Sequence, residues 1–135
     1  MGQTLNKENC CILNEEMKDE NIYQNDKPRK GIYPYEYLRT LTDFSVINKI
    51  MKETELPKHE QFYSTLNQKN ITEDDYKLSQ QNWTDLKCEN LKDYTMKYLK
   101  LDVLILADLF ENFRNVCLTN YEIDPCYTFS TPGLT

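Results

Sequence analysis

The chain has a single histidine, His59, and its five cysteines, Cys10, Cys11, Cys88, Cys117 and Cys126, include no Cys-x-x-Cys spacing. Zinc sites need clustered thiolate or imidazole ligands, and a disulfide framework needs an even set of half-cystines, so neither is indicated. Reduced thiols in an intracellular setting are the expectation. Met1 to Glu20 lacks the apolar core of a signal peptide, and the longest apolar run, Leu101 to Phe113, is shorter than the about 20 residues that cross a bilayer. A soluble chain with no membrane partner is therefore expected. Met1-Gly2-Gln3-Thr4-Leu5-Asn6 has the glycine of a myristoylation start, but Asn6 stands where Ser or Thr is preferred. Basic residues are outnumbered as well, 16 Lys and Arg against 22 Asp and Glu. A net charge of -6 argues against an autonomous nucleic-acid binder, because phosphate contacts need grouped Lys and Arg. There is no internal repeat or low-complexity tract.

What is present is unevenly distributed. With 135 residues, 39% apolar and 28% charged, the chain suits one modest domain or part of a larger one. Only its second half looks core-forming. Residues 1–29 read as a poorly ordered polar leader in which Cys10 to Leu13 with Met17 hint at a short helix. Asp26-Lys27-Pro28-Arg29-Lys30-Gly31 then breaks the chain. The aromatic run Gly31-Ile32-Tyr33-Pro34-Tyr35-Glu36-Tyr37-Leu38 follows, with Pro34 opposing helix at the residue before it. It reads either as an extended segment packing Tyr33, Tyr35 and Tyr37 on a core or as a strand or loop flanking an active site.

Thr40 or Thr42 is placed to cap a helix through Phe44, Val46, Ile47, Ile50 and Met51. Pro57 suits the first turn of a second short helix holding Phe62, Tyr63 and Leu66. Thr72 and Asp75 resemble a capping box for a third through Tyr76 and Trp83. The longest element should be a helix at about 90–118, since Leu91, Tyr94, Tyr98, Asp102, Ile105 and Leu109 recur every three or four residues. A second stripe, Leu99, Val103, Leu106, Phe110, Phe113 and Cys117, covers the other side, and burial of both stripes requires a larger body. Residues four apart share a helix face, so the Tyr98 hydroxyl and Asp102 carboxylate should enter one space. Asp102 either faces water or is buried, and a buried carboxylate needs donors or a cation, for example a divalent metal.

Taken together, Lys30-Gly31-Ile32-Tyr33-Pro34-Tyr35-Glu36-Tyr37-Leu38, Leu56-Pro57 with Phe62-Tyr63-Ser64, Tyr98-Leu99-Lys100-Leu101-Asp102-Val103-Leu104-Ile105-Leu106-Ala107-Asp108-Leu109-Phe110-Glu111-Asn112-Phe113-Arg114, and Thr131-Pro132-Gly133-Leu134 resemble B-type DNA polymerases of the organellar, viral and transposon-borne, protein-primed branch. The resemblance runs from Lys30 to the end of the chain; residues 38–56 depart from it with a longer, more apolar segment. It implies a mainly α fragment of a ribonuclease-H-like α/β exonuclease domain. Residues 30–122 would form the C-terminal part of that domain, and residues 123–135 a connector toward a polymerase palm.

The same resemblance assigns roles. The Tyr-x-x-x-Asp pattern is similar to the third motif of a 3′→5′ proofreading exonuclease, making Asp102 a metal ligand and Tyr98 the group that orients the attacking water. Lys30, with Tyr33 in a Lys-x-x-hydrophobic pattern, resembles the lysine that positions the scissile phosphate. Mg²⁺ or Mn²⁺ would be the cofactor; DNA, dNTPs and a terminal protein primer would be the partners. The location would be nuclear, mitochondrial or viral. The family's Asp-x-Glu motif, its Asn-containing second motif and the palm aspartates have no counterpart here, so a fragment inactive by itself is expected. The alternative is a small helical interaction module, or a mobile-element remnant, that associates through its apolar helix. A helix-turn-helix DNA reader built from the Thr72 and Asn90 helices ranks last, for want of basic residues.

Overall fold

The structure, a computed structural model, describes residues 5–127. Of these, 56% are helical and 5% extended, so the chain is mainly α as expected. The contacts divide it into two units, one of residues 20–22 and 29–102, the other of residues 5–19, 23–28 and 103–127. The start of the myristoylation-like sequence, Met1 to Thr4, and the Thr131-Pro132-Gly133-Leu134 motif lie outside the described residues.

In the unit of residues 20–22 and 29–102, α2 (Tyr35–Arg39) begins directly after Pro34. The aromatic run is therefore irregular as far as Pro34 and then helical. Helix α3 (Phe44–Ile50) is capped by Asp43, whose carboxylate accepts the Ser45 N–H at 2.8 Å. The cap is thus one residue beyond Thr42; a carboxylate there also suits the positive start of the helix. Where a second helix was expected there is one 3-10 turn, His59–Phe62. The chain then turns back through left-handed Gln68 to form an isolated antiparallel bridge between Ser64 and Lys69, which prevents helical continuation.

Helix α4 (Glu73–Asp85) has Thr72 as its cap, accepting the Asp75 N–H at 3.1 Å. Past its end, Lys87 is left-handed, and the N–H groups of Lys87 and Cys88 return to the carbonyls of Thr84 and Trp83. That closure stops the helix and starts the turn into α5 (Leu91–Tyr121). Asn90 caps α5 through the Asp93 N–H at 2.9 Å, and the first N–H groups of α5, Leu91 and Lys92, find the carbonyls of Glu53 and Met51. Ile50, Leu91 and Tyr94 form the core here, with Tyr33, Tyr37, Leu38, Met51 and Trp83 against it.

In the other unit, α1 (Cys11–Glu16) buries Leu13, with Cys10 and Met17 at its ends. Strands β1 (Tyr23–Gln24) and β2 (Lys27–Pro28) pair antiparallel around Asn25 and Asp26, both with positive φ, the two-residue hairpin turn that Asn and Asp tolerate. The short helix hinted at by Cys10 to Leu13 with Met17 is present, and the backbone here is tied to the later part of α5. The N–H groups of Ile12 and Leu13 donate to the two oxygens of Asp108 at 2.9 and 2.8 Å. Asn112 Nδ2 donates to the Asn9 carbonyl at 3.0 Å. After α5, Asp124 accepts a forked pair of bonds from Arg114, which holds its carboxyl down to about 2.

Along α5 the buried positions are Leu91, Tyr94, Leu101, Asp108 and Cys117. The interior line therefore passes through Leu101 and Asp108, one residue away from the stripe traced through Asp102 and Ile105. One residue is about 100° of rotation on a helix, enough to exchange inside for outside. The second stripe is open from Leu99 to Phe110, where Leu99, Val103, Leu106 and Phe110 are 52, 56, 65 and 42% exposed, and closes at Cys117, which is buried.

Candidate active-site face

The segment following Arg29 has no regular structure of its own, so its polar backbone groups must be met by side chains. Arg29 is buried, and its guanidinium donates to the Asn21 carbonyl at 2.6 Å, to Asn82 Oδ1 at 3.3 Å and to Asp85 Oδ2 at 2.7 Å. Asn82 Nδ2 returns a bond to the Lys30 carbonyl at 3.0 Å, and the buried Tyr94 hydroxyl donates to the Ile32 carbonyl. Two residues of α4 and one of α5 thus fix the backbone on both sides of Gly31.

Gly31 then lies on the ring of Tyr98. A Cβ at this position would be 2.4 Å from Tyr98 Cε2 and 2.9 Å from Cδ2. Tyr33 stacks on the same ring, with centroids 4.8 Å apart and planes 14° from parallel, and its hydroxyl is 2.8 Å from Thr95 Oγ1. Tyr35 meets Tyr98 edge-on, and their two hydroxyls share a hydrogen bond. Burial first, then the bond to Tyr35 and the nearby charge of Asp102, raises the Tyr98 hydroxyl well above the ordinary phenol range. Tyr98 is therefore a neutral phenol at any physiological pH, able to donate and accept.

Ala at position 31 would force the Tyr98 ring to move against Tyr33, an overpacking cost of about 2 kcal/mol. Gly31→Ala should melt earlier than the parent and displace the Tyr98 ring resonances. An unchanged melting curve with unshifted Tyr98 signals would contradict the contact.

Of the three residues singled out in the sequence, Tyr98 and Asp102 lie four residues apart on α5, and the Lys30 segment packs on Tyr98 through Gly31 and Tyr33. Asp102 is on the exposed side of α5. Its carboxylate is not the buried one; that is Asp108, which is 2% exposed and satisfied by two backbone N–H groups. The Lys30 ammonium is directed to Asp75 on α4, at 3.1 Å. Among the described residues no group of three or more His, Cys, Asp or Glu side chains is arranged to hold a metal ion. A lone exposed carboxylate is short of what two divalent ions need, so these residues alone do not fit the expected metal pair. His59 is placed structurally, edge-on to Tyr76 with Nδ1 3.2 Å from Asn70 Nδ2. All five cysteines are free thiols.

Comparison of the chain with protein-family models, curated proteins and solved structures gave no match in any of the three.

Proposed function

We propose that this chain is part of a B-type DNA polymerase, contributing one wall of its 3′→5′ exonuclease site. The reading rests on the resemblance described above, and one observation carries it further. The two segments that carry the resemblance, Lys30 to Tyr35 and Tyr98 to Asp102, are distant in sequence and yet meet, with Gly31 and Tyr33 against the Tyr98 ring. A lysine for a phosphate, a neutral phenol for a water and a carboxylate one turn further on are the groups that phosphodiester hydrolysis uses on this side of a site.

In this reading Tyr98 holds the water, Lys30 supplies the positive charge near the phosphate, and Asp102 is one carboxylate of a larger ligand set. Tyr35, 60% exposed beside Tyr98, offers a ring face for a terminal base. The ribonuclease-H-like sheet and the remaining carboxylates would come from outside this chain, as would the polymerising centre. Purified chain should release no nucleotide from single-stranded DNA with Mg²⁺ or Mn²⁺. The transcript around it should carry an Asp-x-Glu motif upstream and palm aspartates downstream in the same frame. Degradation by the chain alone, abolished by Asp102→Ala, would overturn the claim that the site is partial.

A second reading is favoured by the exposed stripe on α5: a helical module that docks a partner through Leu99, Val103, Leu106 and Phe110. A complete transcript coding only for these 135 residues would favour it.

A further inference from the structure

The Lys30 backbone is immobilised by Asn82 and by buried Arg29, but its side chain is 65% exposed and bound only at its tip, to an Asp75 carboxylate that is itself 32% exposed. Both members of the pair reach water, so the contact exchanges readily, and the four-carbon stem lets the ammonium swing while the backbone stays put. Asp75 belongs to the first turn of α4, which carries Glu73 and Asp74 as well. The Asp75 N–H is held by the Thr72 cap, so the turn that carries its carboxylate keeps its place whether or not Lys30 is on it.

We propose that Asp75 acts as an internal competitor for the phosphate of a single-stranded DNA end, holding the Lys30 ammonium until a phosphodiester displaces it. The inference rests on the nuclease reading and adds regulation of the same site. The anion must take Lys30 from a carboxylate of like sign, so affinity is reduced by the strength of one exposed ion pair. A sequence-neutral brake of this kind disfavours stray anions while leaving an end held by other contacts able to compete.

Binding of oligothymidylate at low salt, followed by NMR shifts on the full chain, tests it. Asp75→Asn should tighten binding about two- to fivefold, the range of an exposed ion pair. Lys30→Ala should weaken binding, and adding Asp75→Asn to it should change nothing further. Asp74→Asn, which removes the same charge one residue away, should have the smaller effect. Equal tightening by Asp75→Asn with and without Lys30 would overturn the proposal in favour of a general field effect. No tightening while Lys30→Ala still weakens binding would overturn it and leave the nuclease reading standing. No binding by any variant, or binding indifferent to Lys30, would overturn both.

Discussion

Asp108→Ala should lower the stability of the chain by about 3 kcal/mol, the largest effect expected from any single acidic residue here. Its carboxylate, 2% exposed, accepts the Ile12 and Leu13 N–H groups, taking the place of the side-chain cap that Cys10 does not provide for α1. Bonds to a charged acceptor contribute about 1.5–3 kcal/mol each, and truncation leaves the part-buried Ile12 N–H and the buried Leu13 N–H without that partner. Asn keeps one acceptor oxygen and should retain roughly half of the stabilisation. Asp102→Ala, six residues earlier on the same helix but exposed, should stay within about 0.5 kcal/mol of the parent. Urea titration followed by circular dichroism separates the two, and equal losses for Asp102 and Asp108 would contradict the assigned rotation of α5.

Arg29→Ala should be of similar size, about 3 kcal/mol. Removing one partner of a buried ion pair costs about 3–5 kcal/mol, and the lower end applies because Asp85 is 27% exposed and can be rehydrated. Three acceptors, the Asn21 carbonyl, Asn82 Oδ1 and Asp85, lose their donor at once. Arg29→Lys should recover less than half, since a single ammonium cannot replace the planar fork that reaches all three. The loss should be felt at Lys30 and Gly31, whose amides ought to exchange faster with solvent in Arg29→Ala. A variant with parental melting and unchanged exchange at Gly31 would show that this network does not hold the segment.

The parts of this fold written in local spacing were legible in the sequence. Thr72 three residues before Asp75 announced the start of α4, and the run from Leu91 onward announced α5 to within a few residues of its ends. What was not legible depends on partners far along the chain. Asp108 finds its donors 95 and 96 residues away, and in the sequence it is one more acid in an apolar helix. Arg29 sits in the run Asp26 to Gly31, which reads only as a break between elements; one partner of its buried guanidinium is Asn82, 53 residues on. The seven-residue recurrence Tyr94, Leu101, Asp108 was the available signal for the interior line, but it competed with equally apolar stripes on either side. For the candidate site, the four-residue spacing of Tyr98 and Asp102 puts them on one side of a helix, and the roles given to them rest on the resemblance. The seat of the Tyr98 ring on Gly31 is a long-range contact that no local pattern encodes.

The most direct measurement asks whether a DNA end lies on the proposed nuclease wall. A single-stranded oligonucleotide with a photoreactive 5-iododeoxyuridine at its 3′ terminus, irradiated with the chain in the presence of Mn²⁺ and analysed by peptide mass spectrometry, should place its adducts within residues 30–35 or 98–102, with Tyr35 the leading site, and Lys30→Ala should reduce them. Adducts confined to other parts of the chain, or none above an unrelated acidic protein, would contradict a nuclease wall built on Gly31 and Tyr98.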